Sequence, residues 1–212
     1  MPALKRLNVR YNPRSVTTTM AYQYEAFFSY KRDVESDAWH YTVMEKLRYW
    51  LRYELNQLDV PVFFDTEEIR TGMRWRNKIS QALISSKTIV CLWSPLYFQS
   101  EWCVSEWQTF AEREHRYNTE LVAPASYHDG SHFPAEARAK QILDFSNYTS
   151  TASRFWGTEI AVDFERLCLM PFARDLASLV RMAPQYDPNF PLVEVSQNQL
   201  SSPPTIGRIA DV

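Results

Sequence analysis

TIVCLWSPLYFQSEWCVSEW, Thr88 to Trp107, is the stretch whose reading decides the fold. It opens as a continuous apolar and β-branched run, Thr88 to Trp93, with the length and composition of a strand buried on both faces. Ser94-Pro95 stops that strand. A short aromatic segment follows, and Ser100 stands at the N-cap position before a run that sets Val104, Trp107, Phe110 and Ala111 on one helical stripe. Glu106 therefore falls in the first turns of a helix, beside Trp102 and Cys103. Open α/β sheets bind their ligands at the carboxyl ends of their strands, which is where this carboxylate is expected.

Upstream, Gln23 to Tyr30 (QYEAFFSY) reads as a first strand that exits into the charged string Lys31-Arg32-Asp33. From Asp37 onward Val43, Leu47, Trp50, Leu51, Glu54 and Leu55 recur at helical spacing, with Glu45, Lys46, Arg48 and Arg52 off the stripe. Asp59 to Asp65 is a short second strand, and Pro61, which lacks a ladder donor, marks it as an edge. A polar loop around Gly72 leads to a helix from Trp75 to Ser85. Downstream, the helix containing Glu106 runs to about Tyr117. Leu121 to Pro124 forms a fourth strand, Phe133-Pro134 opens a short helical segment, and Ile142 to Phe145 forms a fifth strand. A last helical region spans roughly Gly157 to Met182, with Val162, Leu167, Leu169, Leu176 and Leu179 as core candidates and a kink or split expected at Pro171. The chain divides into a leader (1–21), one domain (22–182) and a tail of Pro, Ser and Asn composition (183–212).

Alternating strands and helices predict an α/β fold, a doubly wound five-stranded parallel sheet with helices on both faces. The expected order is 2-1-3-4-5, the flavodoxin-like arrangement, whose switch point lies between strands one and three. The exit of strand one (Ser29, Tyr30, Lys31, Arg32) and the exit of strand three (Ser94, then Trp102, Cys103 and Glu106) flank that crevice, with the loop from Asp65 to Trp75 at its rim or projecting outward.

The formal charge of the 212 residues is −2, and no block of lysine or arginine marks a nucleic-acid or anionic-membrane face. No apolar run approaches the roughly 20 residues of a membrane span, and no signal-peptide core is evident near the N-terminus, so a cytoplasmic protein is expected. Cys91, Cys103 and Cys168 lack the spacing and neighbouring histidines of a metal site and suit reduced thiols. His40, His115, His128 and His132 show no metal-like spacing, and no metal is expected.

Four segments carry a resemblance: AFFSYKRD (Ala26 to Asp33), VFFDTEEIRTG (Val62 to Gly72), WSPLYFQSEWCVSE (Trp93 to Glu106) and the later Phe133-Pro134. In order and spacing they resemble the signature boxes of the TIR (Toll/interleukin-1 receptor homology) domain, over about Gln23 to Met182. The resemblance implies a flavodoxin-like sheet, agreeing with the reading above, and makes the loop around Gly72 the family's BB loop. It is strongest to the enzymatic, bacterial-type branch, which cleaves NAD through the glutamate of the S-x-W-C-x-x-E box, here Ser100, Trp102, Cys103 and Glu106. NAD is then a substrate and no cofactor is implied. The family also implies self-association through TIR contacts and a role in prokaryotic immune or anti-phage signalling with a separate sensor or effector protein.

The chemistry can be argued from the residues. Nicotinamide leaves a positively charged ring as a neutral base, so the group to stabilise is an oxocarbenium-like ribose. One carboxylate, Glu106, suffices, and it also holds the ribose hydroxyls. Trp75 and Trp102 offer stacking faces, Lys31 and Arg32 offer cations for a pyrophosphate, and Ser29, Tyr30, Asp65, Gly72 and Cys103 complete the expected binding set. Each has a plainer reading. The helix dipole alone favours a glutamate near a helix start, Lys31 and Arg32 suit a solvated loop, Trp75 suits packing, and Asp65 suits capping the loop. Trp102 and Cys103 suit a pocket wall, Cys103 having no nearby histidine to activate it. The alternative function is a non-catalytic TIR scaffold for signalling assembly.

Overall fold

The computed structural model describes residues 21–65 and 73–193, the first three residues of the second span by backbone alone. Gly72 lies outside them. Five strands, β1 (Tyr24–Tyr30), β2 (Val62–Phe63), β3 (Ser86–Trp93), β4 (Val122–Ser126) and β5 (Leu143–Asp144), form one parallel sheet in the order β2-β1-β3-β4-β5. This is the expected flavodoxin-like order. β3 is central, in register with β1 from Tyr24↔Ser86 to Tyr30↔Leu92 and with β4 from Ile89↔Val122 to Trp93↔Ser126. All its side chains except Lys87 are buried, as its unbroken apolar run requires. β2 is an edge strand. Its Pro61 lies just outside the ladder, where the missing N–H costs no strand bond, and the Pro61 carbonyl accepts from the Glu25 amide at 2.8 Å.

The helices are α1 (Asp37–Leu55), α2 (Met73–Ile84), α3 (Glu101–Tyr117), α4 (Ala135–Arg138), α5 (Glu159–Phe164) and α6 (Met170–Met182). Side chains alternate across a strand, so β1 and β3 sort their residues into two cores. Ala26, Phe28, Val90 and Leu92 pack with α1, α5 and α6, whereas Phe27, Ile89, Cys91 and Trp93 pack with α2 and α3. α1 and α3 each end on an asparagine in the left-handed conformation, Asn56 (φ 53°) and Asn118 (φ 48°), a residue that tolerates this geometry as a helix stop.

The last helical region is split just before Pro171, as expected, but the break is a π turn and the face it presents differs. It starts with a 3-10 turn (Ser153–Gly157), then α5, a π turn (Glu165–Leu169) and α6. Pro171 cannot offer an N–H to the carbonyl of Leu167, and its ring crowds that carbonyl; widening the preceding turn relieves both. A wider turn also rotates the residues before it relative to those after. Leu169 and Leu176 are fully buried and Leu179 is half-buried, but Val162 and Leu167, expected in the core, are 53% and 64% exposed. Beyond α6 the chain lies along α3, where Phe190 is buried and the Val193 amide donates to Thr109 Oγ1 at 3.1 Å.

Candidate active site at the carboxyl edge of the sheet

β1 connects toward β2 and β3 toward β4, so the chain diverges between their carboxyl ends and leaves a crevice there. After β3 a 3-10 turn (Tyr97–Gln99) reverses the chain, and Ser100 caps α3 by accepting from the Cys103 amide at 3.5 Å. The cap fixes where the first turns of α3 meet β1. The Cys103 thiol donates to the Tyr30 carbonyl at 3.5 Å, and Glu106, three residues on and on the same helix face, accepts from the Ser29 hydroxyl at 2.5 Å. Ser29 Oγ is also 2.8 Å from the Tyr97 hydroxyl.

A cavity of about 120 Å³ opens here, walled by Tyr30, Lys31, Arg32, Asp65, Trp102, Cys103 and Glu106, with Ser100, Ile79, Phe27 and Phe28 completing it. Seven of the ten expected site residues thus converge on one cavity. Ser29 stands behind Glu106 and not on the wall, Gly72 is outside the described residues, and Trp75 is described only as backbone at the start of α2. Arg32 pairs with the Asp65 carboxylate at 2.9 Å and donates to its carbonyl, tying the exit of β1 to the end of β2. Trp102 is 39% exposed, and the Arg76 guanidinium lies over its ring at 5.3 Å from the centroid.

Glu106 is 9% exposed, and burial raises its pKa from the ordinary 4.5 to about 7. The Ser29 hydrogen bond and the Arg32 charge pull it down, while the Asp65 carboxylate pushes it up. The carboxyl thus titrates near neutrality, because burial disfavours its charged form. Burial, with Glu106 beside it, also pushes the Cys103 thiol up to about 12, which keeps it protonated at neutral pH and makes it a wall residue. Tyr30 is pushed up to about 12 by burial in the same way and stays a neutral phenol.

The model of the TIR domain matches residues 27–155, a span that begins in β1, ends before α5 and contains the whole cavity. The chain belongs to the TIR-domain family. No protein of curated function matches it. Among solved structures it is similar to the TIR domains in the structure of the activated Roq1 resistosome directly recognizing the pathogen effector XopQ, at 17% identity over 76% of this chain and 85% of that one, with a TM-score of 0.37.

The TIR domain also holds residues that sequence reasoning passed over. Tyr97, read only as part of an aromatic connector, is fully buried with its hydroxyl beside Ser29. His40, noted in the sequence only for lacking metal-like spacing, is 3% exposed among the rings of Tyr30, Trp39 and Tyr127, and burial lowers its pKa to about 4. Its Nδ1 has no hydrogen-bond partner. It lines a second cavity of about 250 Å³ on the α1 side of the sheet edge, which shares Lys31 with the first. The signal for both lay in their position among aromatics, at chain distances no periodicity rule spans. None of the described helices is long and apolar enough to cross a membrane.

Proposed function

We propose that this TIR domain cleaves NAD at the bond between nicotinamide and ribose, with Glu106 as the catalytic carboxylate, in the manner of the bacterial-type branch of the family. The observation that carries the reading is Glu106 itself, a buried carboxyl on a cavity wall at the sheet's switch point, held by Ser29 and titrating near neutrality. In its ionised form it stabilises the ribose cation that develops as the C1′–N bond breaks and the electron pair departs with neutral nicotinamide. Water then adds at C1′ and loses a proton, giving ADP-ribose. A ribose hydroxyl adding in its place gives a cyclic product.

Lys31 is the cation that both cavities share, a position suited to the pyrophosphate between the two halves of the dinucleotide. The exposed face of Trp102 suits a nicotinamide ring, with Arg76 moving aside. The walls formed by the described residues enclose about 120 Å³, below the roughly 300–1,000 Å³ of pockets that bury a drug-sized ligand. A second copy closing the site accounts for the difference and fits a protein that acts on assembly, in prokaryotic immune or anti-phage signalling, under a separate sensor or upstream of an effector. The test is purified protein incubated with NAD across a wide protein concentration range, with free nicotinamide measured by chromatography. Release at any concentration supports the enzyme. Its absence even in assembled protein leaves a TIR scaffold.

A further inference from the structure

Ser29 has one hydroxyl proton and two partners. It donates that proton to Glu106 Oε2 at 2.5 Å, so its contact with Tyr97, at 2.8 Å, is one in which the Tyr97 hydroxyl donates and Ser29 accepts. All three side chains are buried, Tyr97 completely, and each comes from a different element: β1, the 3-10 turn after β3, and α3. Behind them the Cys91 thiol of β3 lies beside the Tyr97 hydroxyl. The Tyr97 and Ser29 hydroxyls therefore both donate toward the carboxylate.

We infer that Tyr97 is a positioning residue that acts through Ser29, forming a buried donor relay that sets the pH at which Glu106 becomes charged and holds its Oε2 in place. A hydroxyl that itself accepts a hydrogen bond is a stronger donor, so the Tyr97 contact strengthens the bond from Ser29 to the carboxylate. Burial pushes the Tyr97 phenol and the Cys91 and Cys103 thiols up, so all three stay neutral while Glu106 titrates. The other groups facing Glu106 are Asp65 at the end of β2, which opposes its ionisation, and Arg32 after β1, which favours it, while Lys31 and Tyr30 share its cavity wall and α2 contributes the apolar Ile79. The relay is thus the uncharged part of the balance and the part on the protein side of Glu106, away from the cavity.

The inference rests on the catalytic reading of Glu106 for its consequence in activity, but its test does not need activity. The carboxyl of Glu106, labelled with carbon-13 and assigned by its loss in Glu106→Gln, is titrated by NMR in the full-length protein. Ser29→Ala removes the direct donor and should raise the midpoint by about 1 pH unit or more, as expected for a charged hydrogen bond. Tyr97→Phe, which keeps the ring and its packing, should raise it by about 0.2–0.5 pH unit, the share that cooperativity adds. In the Ser29→Ala background Tyr97→Phe should add nothing, because the link it acts through is gone. An unmoved midpoint in Tyr97→Phe, or the same rise with and without Ser29, would overturn the relay. If the protein releases nicotinamide, the pH midpoint of that activity should move with the carboxyl midpoint. If it releases none, the titration still decides the relay and only the catalytic reading fails.

Discussion

Glu106 carries two opposed demands, because the burial that makes its charge effective also makes that charge costly. With a midpoint near 7, nicotinamide release should rise with pH as the carboxyl ionises and fall off below neutrality; kcat/KM measured from pH 5 to 9 reads that limb directly. A rate independent of pH across this range would mean that Glu106 is not the titrating group. Stability has the opposite sign. Between 4.5 and about 7 the folded protein keeps the Glu106 proton that the unfolded chain has lost, so this group's contribution falls as pH rises through that window, by up to about 3 kcal/mol. His40, held neutral down to about 4, contributes stability that is present above 6.5 and lost as pH falls to 4. The two slopes largely cancel in the wild type. Glu106→Gln should therefore be more stable than wild type above pH 7, by about 2–3 kcal/mol, and its stability should climb with pH between 4 and 6.5 as the His40 slope is unmasked. Urea unfolding at several pH values checks both. The carboxylate was legible in the sequence because a strand exit and a helix cap bracket it. His40 and Tyr97 were not, since their burial depends on Tyr30, Trp39, Tyr127 and Ser29 arriving from distant parts of the chain.

At the scale of elements, α3 is the one whose placement decides the site, and Ser100 is its anchor. Losing the cap in Ser100→Ala should cost about 1 kcal/mol and lower Tm by about 2–4 °C. Because the first turns of α3 carry Trp102, Cys103 and Glu106, the same variant should also weaken activity, a pairing that thermal unfolding and nicotinamide release would test together. β1, α1, β3 and α3 were readable from periodicity and punctuation: the unbroken run before Ser94-Pro95, the stripe from Val43 to Leu55, and the cap at Ser100. The region from Gly157 to Met182 was readable only in part. The break at Pro171 was readable from its missing N–H, but the π turn that makes the break was not; it shifts the phase and leaves Val162 and Leu167 outside. β5, at two residues, is fixed by its pairing with Ala125 and Ser126 and not by its own composition.

For the whole molecule, the sheet order followed from the alternation of elements, and the switch point followed from the order. How the site is completed did not, because in the proposed reading it depends on a surface of a second copy. The narrow cavity among the described residues leads to a specific expectation: activity per subunit should rise with protein concentration, in step with self-association followed by sedimentation. Head-to-tail TIR contacts are heterologous, so association need not stop at a dimer and can continue into filaments where the rotation does not close a ring. Constant activity per subunit from a strictly monomeric species would mean that one chain holds the full site.

The most direct measurement is nicotinamide release from NAD by wild type and Glu106→Gln, side by side at pH 8 and at one assembled concentration, with folding of both verified by circular dichroism. The amide keeps the shape of the side chain and removes its charge, so release should fall by about 10²–10³-fold or more in a folded variant. A folded Glu106→Gln protein that releases nicotinamide at the wild-type rate would contradict the account.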